Sequence, residues 1–363
     1  MLAILHIGVE KTGTTSIQQF LALNREDLKS RSILFPQSPG SSNHMRLAGY
    51  AANDEKRDDI RMREQIESHE DLQRFRDTFA ADFASEVRAA GCDTIILSGE
   101  HCSSRLVTHQ EVQRLRDLLF GVFTSVRVVV YLRRQDEFLL STYSTMVKCG
   151  HTERLAIPSP DDIRDRYDFA KMLDLWSSIF GREFIEARLY SPSSLVDGNA
   201  VSDFIKVAGL PADLPYAMPG RENPSLDATT LEFLRLVNRH VPYTANGKIF
   251  QPRDNLPRLL ETLSTGPGVM TDADQLAAFM RSFAGSNNKV ATDYFGGAKY
   301  ADDDPLFGPA PFFGDRAIPE PMTLEKAVEI FGAVWVLKNR LLAEARDRQA
   351  KARASSASPT NRK

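Results

Sequence analysis

The chain has 363 residues, 42% hydrophobic and 26% charged, which excludes a disordered or fibrous protein and allows a substantial buried core. Its formal net charge of −3 supplies no general pull toward nucleic acid or an anionic membrane, so anionic ligands must be caught by local groups. Three cysteines, Cys92, Cys102 and Cys149, lack C-x-x-C spacing, which argues against a disulfide framework or zinc site and for a reducing compartment.

Leu2 to Ile7 is a short apolar run ended by Gly8 and predicts a buried strand; a signal peptide is not expected, and a cytoplasmic location is. The pattern turns helical from Thr14 to about Leu23, and Ile33 to Phe35 predicts a second short strand. Ser41 to His69 is polar with little periodicity. A helix follows from Leu72 to Ala90 with Gly91 as its C-cap, then a strand at Thr94 to Leu97. A helix from Gln110 to Phe120 leads to Val126–Leu132, a run rich in β-branched residues as a buried parallel strand requires. Helices are predicted at Asp136–Val147 and Tyr167–Ile179, with a fifth strand at Phe184–Leu189.

Beyond it the sequence becomes helical, at Asp227–Asn238, Leu256–Leu263 and Asp272–Phe283. Ala301 to Pro321 is rich in Pro, Gly and Phe and predicts an irregular cover. A last helix is expected at Leu324–Arg346, before a basic tail over Asp347–Lys363 expected to be disordered. No segment is apolar for the roughly 20 residues a membrane helix needs. Strands alternating with helices predict an α/β chain: three layers, a mostly parallel sheet of about five strands, and a helical C-terminal half. The expected domains are 1–310, a covering segment and helix at 311–346, and the tail at 347–363.

Chemistry concentrates in the loop after the first strand, Gly8-Val9-Glu10-Lys11-Thr12-Gly13-Thr14-Thr15-Ser16. A strand-to-helix turn aims backbone N–H groups and the positive helix end at one point, where a phosphate binds, and the glycines permit close approach. The loop is near a Walker A, but Thr14 stands where the lysine belongs and Lys11 precedes Gly13. The displacement favours an anion shorter than a triphosphate.

This arrangement resembles the phosphosulfate loop of sulfotransferases that use 3′-phosphoadenosine 5′-phosphosulfate, a family with a P-loop fold. The resemblance extends to Arg133 at the end of the fourth strand and Ser141 in the next helix, which match in spacing the family's grip on the 3′-phosphate. An arginine fork at the carboxyl end of a parallel strand suits that task; the competing reading is a surface pair with Asp136 or Glu137. Tyr167-Asp168-Phe169, Trp176, Phe180-Gly181, Asp203-Phe204 and Gly209-Leu210 look like the continuation in the bacterial, carbohydrate-type branch. Coverage is about the first two-thirds of the chain. Ser16 replaces the tryptophan that stacks on adenine in cytosolic relatives, and the late R-K-G loop is not evident, which leaves the adenine contact open.

What the resemblance implies is transfer of a sulfuryl group to a hydroxyl of a glycan or small molecule, releasing 3′-phosphoadenosine 5′-phosphate. Gly8, Lys11, Thr12, Gly13, Thr14, Thr15, Ser16, Arg133 and Ser141 would hold the nucleotide. Lys11 would neutralise the leaving phosphate, and no metal is called for. The base is sought after the third strand, in Glu100 or His101; the family uses a carboxylate in one branch and a histidine in another, and Glu100 is the choice. His44 lies in a loop that could cover the acceptor and reads as a surface or packing residue, His6 as a packed strand residue, and Ser286 to Lys289 as a helix cap or a reach toward the nucleotide. A P-loop kinase or nucleotide hydrolase, and a non-catalytic nucleotide-binding protein, are the alternatives.

Overall fold

Leu2–His6 (β1) is fully apolar up to His6, and Ala3, Ile4 and Leu5 are buried on both faces, as a central parallel strand demands. The computed structural model describes residues 1–220, 225–245, 248–249, 253, 255–296 and 315–356. In it β1 lies between Thr94–Ser98 (β3) and Ser125–Leu132 (β4), with Ile33–Leu34 (β2) outside β3 and Ile185–Leu189 (β5) outside β4. Every pairing in this β2-β3-β1-β4-β5 sheet is parallel, from Leu2 opposite Thr94 on one side to Leu2 opposite Ser125 on the other. The expected α/β class with a five-stranded sheet is what the chain adopts.

Side chains alternate across the strands. Ile4, Ile96, Val129 and Tyr131 share one core with Ile17 and Phe20 of Thr14–Leu23 (α1) and Phe204 and Val207 of Ala200–Val207 (α11). The opposite faces of β1 and β4 are equally buried, and His109–Phe120 (α7) and Phe169–Phe180 (α10) pack on β4. Helices therefore cover both faces of the sheet.

Local signals set the helix ends. His69–Ala90 (α5) opens on a capping box of Ser68 and Asp71 and closes at Gly91, whose φ of 61° a glycine adopts without strain. α7 opens on a capping box of Thr108 and Glu111. The polar stretch 41–69 differs from expectation: it forms Met45–Ala51 (α3) and Asp59–Arg63 (α4). These helices are too short for a visible period, and they are anchored by Leu47, Ala48, Ala51 and Ile60.

The chain divides into two compact units. One unit comprises Met1–Phe138, Ile157–Glu222 and Leu276–Pro311; it contains the sheet. The other comprises Leu139–Ala156, Asn223–Gln275 and Phe312–Lys363. Its core joins Tyr143 and Val147 of Gln135–Lys148 (α8), Leu231 and Leu234 of Ala228–Asn238 (α12), and Leu260 of Leu256–Leu263 (α13). Asn238 and the buried Arg253 donate to the Val147 carbonyl at the end of α8, satisfying part of a helix terminus that has no intrahelical partner. The expected helix at Asp272–Phe283 is observed as Ala273–Arg281 (α14), followed by Ala284–Tyr294 (α15) in the first unit. Leu324–Ser356 (α16) runs past Arg346 into the stretch expected to be disordered, because Ala, Arg, Gln and Lys are strong helix formers. Most of the expected cover, 301–314, and the end of the tail, 357–363, lie outside the described residues. Among those described, no helix is long and apolar enough to cross a membrane.

Candidate functional site

After β1 the chain travels past β3 to β2, whereas after β4 it travels the other way to β5. The carboxyl ends of β1 and β4 therefore flank the switch point, where open α/β sheets bind ligands. The loop Gly8 to Thr15 stands there. Its first stretch remains tied to β4, with the Ile7 N–H donating to Val129 O at 3.0 Å and the Val9 N–H to Tyr131 O at 3.2 Å. Gly8 (φ 78°), Lys11 (φ 67°) and Gly13 (φ 76°) all adopt the left-handed region. A Cβ on Gly8 would meet the Cα and Cβ of Glu100 at 2.9 Å, so only glycine lets these two strand ends meet. Gly13 stands at the N-cap of α1 and, having no side chain, makes no capping hydrogen bond to the first turn. Lys11 pays a strain of about 1 kcal/mol or more for its left-handed backbone, and such strain persists only where the surroundings impose it.

Arg133 is part of those surroundings. Its Nη1 donates to the Lys11 carbonyl at 2.9 Å, its guanidinium lies 5.5 Å over the Tyr190 ring, and it pairs with Glu137 at 3.1 Å. The pairing with Glu137 expected of the competing reading is present, and the arginine also faces the loop. Its neighbour Arg134 is a different residue in kind. It is buried against Asp136 through two hydrogen bonds, of 3.0 and 2.7 Å. Ser141 is half-buried on α8, beyond the point where the chain enters the second unit, and is not among the residues the first unit brings to the loop.

Across β1, Glu100 stands just before His101–Arg105 (α6), and its carboxylate accepts a hydrogen bond from the Thr14 hydroxyl. Asn43 Nδ2 donates to the other carboxylate oxygen at 3.5 Å. Glu100 is therefore joined to the loop. His101 is half-buried, and its Nδ1 is enclosed with no hydrogen-bond partner among the described residues. Thr12 and Thr14 are buried, while Thr15 is exposed.

Ser98, unremarked in the sequence, organises this rim. Its hydroxyl meets His6 Nδ1 at 2.8 Å, and its N–H donates to His44 Nδ1 at 3.1 Å. Since His44 Nδ1 accepts, its Nε2 carries the proton and donates to Pro36 O at 3.0 Å, while the ring stacks on Phe35. Burial pushes both histidines down to about 3, so both are neutral supports at ordinary pH. Only the hydrogen-bond network reveals Ser98; a lone serine at a strand end carries no sequence signal. Ser286, which the sequence left between two roles, donates to Asp168 at 2.7 Å and accepts from the Ala170 N–H, and so braces the start of α10.

Beside the loop lies a cavity of about 180 Å³, lined among others by Val9, Glu10, Ser103, Arg105, Phe138 and Arg166. Glu10 pairs with Arg166, whose guanidinium lies over the Phe138 ring. Arg166 belongs to Pro160–Tyr167 (α9), a helix that the sequence pattern, which places a helix only from Tyr167 onward, does not predict.

Fold and site together define an α/β protein with a glycine-bounded, lysine-bearing loop at the switch point of a parallel sheet. No family model matches the chain, and no solved structure matches it. A protein of Archaeoglobus fulgidus described as an uncharacterized protein is 28% identical over 189 residues, 49% of each chain. The chain thus spans about half the length of the curated relative it matches.

Proposed function

We propose that the protein is a sulfotransferase that moves a sulfuryl group from 3′-phosphoadenosine 5′-phosphosulfate to an acceptor hydroxyl, on a carbohydrate or another small molecule. The observation that carries this reading is the loop itself: Lys11 lies ahead of Gly13, Thr14 takes the Walker lysine's place, and Arg133 from β4 holds the Lys11 carbonyl. A triphosphate-binding kinase or hydrolase would need the lysine after Gly13. Two features support a nucleotide phosphosulfate: the loop stands at the carboxyl ends of the parallel strands, and α1 starts at Gly13, a residue with no side chain of its own to cap the first turn.

When bound, the donor supplies an activated sulfuryl group on a phosphate leaving group. The chain's own residues have the remaining tasks. Lys11 and the first-turn N–H groups of α1 hold negative charge at the loop. Arg133 grips the second phosphate by its fork, exchanging Glu137 for the ligand. Glu100 takes the proton of the acceptor hydroxyl; between Glu100 and His101, it is the residue that bonds to the loop. Asn43 and Thr14 orient its two oxygens.

The test is transfer of labelled sulfuryl from the donor to a panel of glycans and small hydroxyl compounds, with ATP as competitor. Transfer unaffected by ATP is the expected result. Preferential binding and turnover of ATP would overturn the reading.

A further inference from the structure

α16 is a helix with two apolar faces. Ala327, Ile330 and Val334 pack on the core of α12 and α13, and Leu337 is buried with them. Leu324, Val328, Phe331, Trp335 and Leu342 recur on another face at alternating spacings of four and three residues, with Lys338 filling the remaining step. These residues are exposed, from 47% for Leu342 to 82% for Leu324. An exposed run of large side chains at heptad spacing is costly on a lone surface and marks a contact face.

The distribution of charge on α16 selects the occupant. Its first turns carry the exposed acids Glu325 and Glu329, with Lys326 paired to Glu329 at 2.8 Å. Its later part carries Lys338, Arg340, Arg346 and Arg348 against Glu344 and Asp347, of which Arg340 and Glu344 form an in-helix pair. Trp335 stands midway between Leu324 and Arg346. A two-fold axis at Trp335 therefore brings Leu324 level with a second Arg346, and Val328 level with a second Leu342. Gly332 comes level with Lys338, leaving room for its stem. The acidic end then faces the basic end in both halves, as an isologous contact requires. A parallel pairing would set like ends together.

We propose that α16 pairs antiparallel with the α16 of a second copy of this chain, through a seam of Leu324, Val328, Phe331, Trp335 and Leu342. The contact uses only the second unit, so it is independent of the sulfotransferase reading.

Sedimentation of the full chain across micromolar concentrations tests the pairing, with Trp emission as a second readout. Trp335 is exposed in one copy, whereas the chain's other tryptophan, Trp176, is buried, so a red shift on dilution reports Trp335 leaving an interface. The expected result is a dimer that becomes monomeric with Trp335→Lys, and equally with Val328→Glu, while circular dichroism is unchanged. With Cys149→Ser as background, Val328→Cys and Leu342→Cys chains should cross-link when mixed and not singly. A monomer at every concentration, a dimer indifferent to both substitutions, or Val328→Cys linking to itself would overturn the proposal. So would a monomer that sediments with phosphatidylglycerol–phosphatidylcholine vesicles through Trp335, which would assign the face to a lipid surface.

Discussion

The two rims of the crevice are supported in opposite ways. On the β3 side, Glu100 stands above Ser98 and two buried histidines that are neutral, so the carboxylate's support is a network of uncharged hydrogen bonds. On the β4 side, support is ionic: Arg134 is locked to Asp136 in the interior, and Arg133 joins Glu137 to the loop carbonyl. The difference suits the division of labour proposed above, in which one rim would move a proton and the other hold anions. Adjacent residues also divide. Arg134 is fully committed to structure, whereas Arg133 is tethered by contacts that a phosphate can replace.

The sharpest break of this comparison is Lys11→Ala, which should lower sulfuryl transfer about 10³-fold while circular dichroism stays unchanged. Unchanged turnover would remove Lys11 from the chemistry. Next is Arg134→Ala, which strands the Asp136 carboxylate in the interior; urea unfolding should register a loss of about 3–5 kcal/mol. A loss no larger than that of Arg133→Ala would erase the distinction between the two arginines. On the other rim, Glu100→Gln keeps an oxygen for the Thr14 hydroxyl but cannot take a proton. Its kcat should fall about 10²-fold with the donor KM little changed, and His101→Asn should leave kcat near its original value. The reverse pattern would assign the base to His101.

The histidines give the most general effect. Their folded pKa of about 3 lies below the ordinary 6.5, so the unfolded chain binds more protons as pH falls through 6.5. Stability is full above that pH and is lost on the way down toward 3, at up to about 1.4 kcal/mol per pH unit for each ring. Urea midpoints measured at descending pH should show this slope reduced in His44→Gln.

Legibility in the sequence followed the range of the interactions. β1, β3 and β4 were readable from short apolar runs, interrupted in β4 by Arg127, and the loop from glycines, a lysine and hydroxyls at fixed spacing. Arg133 was readable as a residue at a strand end, but its hold on the Lys11 carbonyl spans distant parts of the chain and leaves no local pattern. Ser98 is hidden for the same reason. α3 and α4 escaped notice because each buries only a few side chains from a polar stretch. The second unit gathers three separated segments, and periodicity carries no information about which distant helices meet. In α16 the Ala-rich basic composition suggested a solvated tail, whereas helix propensity governs its conformation as far as Ser356.

The central claim is that the loop and Arg133 hold a nucleotide with phosphates at two positions. Calorimetry on the intact protein with 3′-phosphoadenosine 5′-phosphate and with adenosine 5′-phosphate measures it most directly. The account predicts binding at least about tenfold tighter with the 3′-phosphate, and loss of that difference in Arg133→Ala. Equal affinity for the two nucleotides would contradict it.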